Sequence, residues 1–398
     1  MSSQRLAKIG QVLKKEAEDG SFRGAVVMVA RKGKLVYQDA VGMQTPSAKM
    51  TRDSIFRIYS MTKPLVSVAA MMLVEDGTIQ LTDPVSKFLP GFDKLQVSVA
   101  GKNAEGQTTY TLVPQERQMT VQDLLRHTSG LAYGEITQNA PVKEGLEKIG
   151  VYYKDRDYDS RNLTPADQIA KMATVPLAFQ PSTIWHYSLS SDVLGRVVER
   201  ASGKRLGDFL QERLFGPLKM TDTAFWVPAA KMPRLAEPLE KDRFAGRAFP
   251  LVDVSSPPMN DSGGAGGVST AADYLRFCQM LMNGGALDGA RVMSRTTIKL
   301  MTSDHLGSFI AQNPQPGELL LGTKGYSFGL GFAVRTGDGV AGVPGSQGEY
   351  MWAGYAGTYF WVDPKEQLTA VLMTQAPSPQ RAYFRKLVKQ LTYQAITD

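Results

Sequence analysis

The sequence predicts an α+β fold, with an antiparallel sheet built from both ends of the chain and flanked by helices, beside a mainly helical lobe. Three observations carry this. Strand-like apolar segments lie at 24–41 and again after residue 327. The stretch between them reads as short helices joined by long loops rich in Pro and Gly. Amphipathic helical patterns open and close the chain. The expected division is a sheet domain from 1–82 and 320–398, a mainly helical domain over 83–319, and a cleft between them. A chain of 398 residues with 43% hydrophobic content supports cores of that size.

The elements follow in order. Between Met1 and Gly20, Leu6, Ile9, Val12 and Leu13 fall on one helical face. Gly24 to Ala30 and Lys34 to Val41 are apolar stretches joined by an Arg-Lys-Gly turn, a hairpin pattern. Ser60 to Asp76 is an apolar helical run stopped by Gly77. Asp192 to Glu199 reads as helical. Cys278, the one cysteine, lies in a helical run from Tyr274 to Leu281 and reads as a buried small hydrophobe; a disulfide framework within the chain is excluded. Three late segments read as strands: Ser327 to Arg335, Glu349 to Val362, and Gln367 to Thr374. A final amphipathic helix covers Gln380 to Ala395.

Charge and composition narrow the function. Charged residues are 21% and the net charge is +7, with Lys and Arg scattered rather than clustered. That pattern is solvation with mild attraction for anions, so no nucleic-acid partner is expected. The N-terminus lacks the apolar region of a signal peptide, and no apolar run is long enough to span a bilayer. The expectation is a cytoplasmic protein with no membrane partner. His127, His186 and His305 lack the close spacings of a zinc site, so neither metal nor cofactor is expected.

Two serine motifs compete. Gly325-Tyr326-Ser327-Phe328-Gly329 matches G-x-S-x-G, but all three histidines precede it. A nucleophile elbow places its histidine later in the chain and needs a helix after the serine. The residues after Ser327 read as a strand, so Ser327 is a decoy. The other candidate is Ser60-Met61-Thr62-Lys63. Serine and lysine three apart at a helix start share one face, near free N–H groups and partial positive charge. Pro64 suits a first turn. A serine alcohol needs a base to attack a carbonyl, and a lysine serves if burial keeps it neutral.

The context of that motif, Phe56-Arg57-Ile58-Tyr59-Ser60-Met61-Thr62-Lys63-Pro64, resembles the serine β-lactamase and penicillin-binding-protein superfamily. The resemblance is greatest to class C β-lactamases and the related family VIII carboxylesterases. It extends over Asp123 to Leu131, Trp185-His186-Tyr187-Ser188-Leu189-Ser190, Gly263 to Thr270, and Trp352-Ala353-Gly354-Tyr355. It implies a β-lactamase/transpeptidase-like fold, with Ser60 as acyl-accepting nucleophile and Lys63 and Tyr187 as a proton-moving pair. Which of the two takes the proton is left open. His186 reads as structural. Backbone N–H groups of Ser60 and Tyr355 match the oxyanion hole.

Two departures bear on substrate. Trp352 stands where the family has the lysine of Lys-Thr-Gly, and Leu189 where it has an asparagine. Trp352 is expected to favour an acyl chain or aromatic ester, and Gly354 to let substrate approach the strand backbone. Tyr133 is expected on the pocket wall or in packing. The loops His127–Gly130 and Gly263–Gly267 are expected to be turns with unusual backbone angles and helix caps. The reading is a serine esterase acting on short- to medium-chain esters of small molecules, with weak cephalosporinase activity. An acyltransferase, a β-lactamase or D-amino-acid peptidase, and a penicillin-recognition sensor are the alternatives. Oligomeric state is not legible.

Overall fold

In the computed structural model the described residues are 1–152, 159–312 and 314–398. Helix α1 spans Ser3–Glu18 and buries Leu6, Ile9 and Leu13, while Val12 stays half-buried at the edge of that face. Strands β1 (Gly24–Arg31) and β2 (Lys34–Gly42) form the expected hairpin. Every residue of β1 is buried, which its unbroken run of Ala, Val and Met requires. A short helical turn over Tyr59–Met61 leads into α2 (Thr62–Glu75), which is buried over most of its length. Gly77 ends it at φ +71.

The middle of the chain carries α3 (Ser190–Ser202) and α4 (Ala271–Met282), with Cys278 buried inside α4. It also holds a hairpin that the sequence reading missed: β3 (Gln96–Lys102) and β4 (Thr108–Pro114). β4 is mostly exposed and reads Thr-Thr-Tyr-Thr-Leu-Val-Pro, with no buried face to give an apolar alternation.

The late strands also differ from expectation. Ser327 to Arg335 is a hairpin of β5 (Tyr326–Phe328) and β6 (Ala333–Arg335), and Glu349 to Val362 is a hairpin of β7 (Tyr350–Ala353) and β8 (Tyr359–Asp363). Gly331 and Gly357 turn the chain at φ +96 and +93 inside runs otherwise rich in strand formers, so composition alone joined what geometry separates. β9 (Leu368–Thr374) and α5 (Arg381–Tyr393) close the chain.

Among the described residues seven strands form one sheet in the order β5-β6-β7-β8-β9-β1-β2, every neighbouring pair antiparallel. Ala25 faces Thr374 and Arg31 faces Leu368, so the N-terminal hairpin continues a sheet made at the other end of the chain. Helices α1 and α5 pack together, and α4 lies along β1, β8 and β9. Helix α2 packs on α3. This brings the start of α2, the start of α3 and the end of β7 to one place. Among the described residues no helix is long and apolar enough to cross a membrane.

Candidate active site

Ser60 sits in the tight turn before α2. The residue ahead of it, Tyr59, has φ +44, a left-handed conformation that costs a non-glycine residue about 1–3 kcal/mol. Three contacts hold it. The Thr62 hydroxyl donates to the Tyr59 carbonyl (2.6 Å), the Val252 N–H donates to the Tyr59 hydroxyl (3.1 Å), and the Tyr59 ring meets Tyr355 edge to face. Thr62 also accepts from the Gly267 N–H (2.9 Å), tying the glycine-rich loop to the serine turn.

Lys63 is 1% exposed. Its Nζ lies 3.2 Å from Ser60 Oγ, 3.1 Å from the Tyr133 hydroxyl and 2.7 Å from the Gly264 carbonyl oxygen. Burial lowers its pKa to about 7, against the opposing pull of the Asp192 charge. The Tyr187 hydroxyl donates to Ser60 Oγ (2.6 Å). Burial pushes the Tyr187 pKa up, with the Ser60 hydrogen bond acting the other way. One group near Ser60 can therefore be neutral and accept a proton at neutral pH, while the other keeps its own. Such a set can carry a proton from the serine to the lysine.

Tyr187 is held from behind. The His127–Gly130 turn, with φ +56 at His127 and +84 at Gly130, is stitched to its segment by the His186 N–H to the His127 carbonyl (2.9 Å). A chain of hydroxyls through Ser129, Ser190 and Ser188 joins the same two segments, and His127 Nδ1 lies 3.2 Å from Ser188 Oγ. His186 packs on Phe179, and burial lowers its pKa to about 4. The Gly263–Gly267 loop has a different reason for its glycines than expected, since none of the four has a positive φ. A Cβ on Gly263 would lie 2.3 Å from the Ser191 carbonyl oxygen, and one on Gly264 2.2 Å from an Asp192 carboxylate oxygen. Close approach, not backbone angle, demands them. That approach also aims the Gly264 carbonyl at Lys63.

A cavity of about 290 Å³ opens at Ser60. Tyr133, Tyr187, Gly354 and Tyr355 line it with Ile136, Leu319 and Leu320. Trp352 is not on its wall, contrary to expectation. It is fully buried, packed between Tyr187 (ring centroids 5.4 Å) and Phe328 (5.3 Å), because strand alternation sends its indole behind the site. Leu189 is also elsewhere, in a separate apolar pocket with Leu131, Val142 and Met172. Gly354 does line the cavity, but its missing Cβ serves the protein itself: a side chain there would come within 2.4 Å of the Ile58 carbonyl oxygen.

Sequence reasoning missed four contributors: Asp192, the Gly264 carbonyl, Arg381 and Arg385. Both arginines line the cavity. Arg385 is buried and donates to the carbonyls of Leu320 (3.0 Å) and Gly354 (2.6 Å); Arg381 lies over the Tyr355 ring. Their only signal was a basic first turn on an amphipathic helix, which usually marks a solvated face. The competing Ser327 is buried in β5, its hydroxyl donates to Asp304, and the chain turns back into β6 with no helix following.

Comparison with known proteins bears on family and fold. The beta-lactamase family model matches residues 9–393. Protein Rv1367c of Mycobacterium tuberculosis is 34% identical over 374 residues, covering 91% of this chain and 88% of its own. Esterase EstB of Burkholderia gladioli is 30% identical over 388 residues, covering 92% and 90%. Among solved structures, EstCE1, described as a hydrolase with promiscuous acyltransferase activity, aligns with a TM-score of 0.78 at 26% identity, over 98% of this chain and 99% of that one.

Proposed function

This chain belongs to the beta-lactamase family and is a serine hydrolase, and we propose that it cleaves small carboxylic esters of short to medium acyl chain through an acyl-enzyme on Ser60. The observation that carries this is the buried Lys63 amine, poised near neutrality 3.2 Å from Ser60 Oγ, with Tyr187 donating to the same oxygen. Ser60 Oγ attacks the ester carbonyl carbon as its proton passes to Lys63. The N–H groups of Ser60 and Tyr355 hold the oxyanion. As the C–O bond to the alcohol breaks, Tyr187 gives its proton to the leaving oxygen and regains one from Lys63. Water then attacks the acyl-enzyme, losing a proton to Lys63, and Ser60 departs with a proton through Tyr187. These steps balance with water as the co-reactant.

A cavity of about 290 Å³ sits at the small end for ligand sites and suits a short or medium acyl group. With Arg381 and Arg385 on the wall, a substrate carboxylate meets positive charge even though Trp352 has replaced a lysine. Weak cephalosporin turnover is therefore part of the proposal. Transfer of the acyl group to an alcohol is the second reading, favoured by the promiscuous acyltransferase activity of EstCE1.

The test is a panel of p-nitrophenyl esters plus nitrocefin and benzylpenicillin, run with wild type and Ser60→Ala. Ester turnover that vanishes in Ser60→Ala supports the proposal. Benzylpenicillin cleaved with a higher kcat/KM than p-nitrophenyl butyrate would overturn it in favour of a β-lactamase.

A further inference from the structure

We propose that Tyr133 is a positioning residue for the reaction: its hydroxyl oxygen takes one N–H of Lys63 and so turns the amine lone pair toward Ser60. This rests on the reading of Ser60 and Lys63 given above.

A neutral amine has two N–H groups and one lone pair. Three polar atoms surround Lys63 Nζ: the Gly264 carbonyl, the Tyr133 hydroxyl and Ser60 Oγ. The carbonyl can only accept, so it takes one N–H at 2.7 Å. If the second N–H pointed at Ser60, the lone pair would face away from the proton it must receive. Only Tyr133, at 3.1 Å, can absorb that N–H. Once Lys63 holds the serine proton, its three N–H groups meet three acceptors, and the new charge is fully hydrogen-bonded.

The surroundings leave this task to Tyr133. The Asp192 carboxylate acts on Lys63 from α3 through its charge, without a hydrogen bond to it: Oδ1 accepts from the Ser262 hydroxyl (2.6 Å) and the Gly264 N–H (3.3 Å), and among the described residues Oδ2 makes no hydrogen bond, to Nζ or to any other group. His127 is buried and held neutral. Tyr187 directs its hydroxyl to Ser60. Leu189, in its separate apolar pocket, offers no polar atom. Tyr133 itself is fixed. Its carbonyl accepts from the N–H groups of Ile136 (3.1 Å) and Thr137 (3.0 Å), and its ring packs on Tyr187 at 5.2 Å. A Cβ on the next residue, Gly134, would lie 2.3 Å from the Tyr152 ring, so the backbone there is closely packed as well.

The experiment is the pH dependence of kcat and kcat/KM for p-nitrophenyl butyrate in Tyr133→Phe. Losing an acceptor that favours the ammonium lowers the lysine's pKa, so the acidic limb of kcat/KM should move to lower pH by about half a unit or more. kcat should fall about tenfold or more, with KM changed by less than about twofold. Site-specific 3-fluorotyrosine at position 133 keeps ring and hydroxyl but weakens the oxygen as acceptor. It should shift the limb the same way by less, and it serves if the phenylalanine variant does not fold. A raised KM with an unmoved limb and unchanged kcat overturns the proposal and makes Tyr133 a pocket wall only. Lys63→Ala separates the two levels. If it keeps wild-type kcat, the parent reading of the base fails. If it is inactive while both Tyr133 variants keep the wild-type limb, the inference about Tyr133 alone fails.

Discussion

Ser60 and Ser327 show how little a hydroxyl says without its neighbours. Ser60 sits beside a strained Tyr59, accepts from Tyr187 and lies next to a buried amine. Ser327 is spent on Asp304 within a strand. Ser60→Ala should therefore abolish ester turnover while Ser327→Ala retains most of it. A fluorophosphonate adduct located by mass spectrometry on Ser327 would reverse the assignment. The second expectation concerns pH. Lys63 is useful to Ser60 only when neutral, and its pKa is lowered to about 7. kcat/KM should thus fall as pH drops through about 7, a limb that fluorophosphonate labelling rates should share. Stability moves with the same group: the unfolded chain binds the extra proton between about 7 and the ordinary lysine value of 10.5, so stability rises with pH across that window. Tyr187→Phe should lower kcat at least about a hundredfold in steady-state assays, because it removes the donor to the leaving oxygen.

At the scale of elements, β7 does two jobs through alternate residues. Trp352 faces inward as a brace between Tyr187 and Phe328, while its neighbour Ala353 lines the cavity, followed by Gly354 and Tyr355 just beyond the strand. Trp352→Lys should consequently fail to create a carboxylate site. It buries an unpaired ammonium instead, and should lower the thermal midpoint and ester kcat together. Trp352→Ala should cost about 3–5 kcal/mol in chemical denaturation. A Trp352→Lys protein with wild-type stability and raised kcat/KM for nitrocefin would contradict this placement. Gly354 teaches a related lesson. It brings the end of β7 against the Ile58 carbonyl just ahead of the serine turn, at a separation that leaves no room for a methyl group.

The whole molecule is a β-lactamase/transpeptidase-like fold whose sheet is closed by strands from opposite ends of the sequence. The last helix is locked onto it by buried charge. Lys389, inside α5, is fully buried and contacts Glu349 at 2.8 Å; Glu349 in turn accepts from the hydroxyls of Tyr326 and Tyr393 and lies 3.7 Å from Arg335. The same helix carries Arg381 and Arg385 to the cavity. Lys389→Met leaves Glu349 without its nearest cation in the interior, and should destabilise by about 3–5 kcal/mol in urea titration. A loss under about 1 kcal/mol would show that the cluster is not what fixes α5.

The sequence by itself determined the α+β class, the opening hairpin, the first and last helices and the serine-lysine pair. Those are local facts: periodicity, a turn between apolar runs, and two side chains one helical turn apart. It also ranked Ser60 over Ser327, because an elbow needs a following helix and a later histidine. Only the tertiary structure decided the rest. It split two late strands into hairpins at glycines, since a positive φ leaves no trace in hydropathy. It put Trp352 and Leu189 off the cavity wall, because the direction a side chain takes depends on register and packing. It brought Tyr133, Asp192 and the Gly264 carbonyl around Lys63 and added Arg381 and Arg385 to the cavity, from segments far apart in the chain. Contacts of that kind are fixed by how elements pack, and the lysine's neutrality depends on the burial they create.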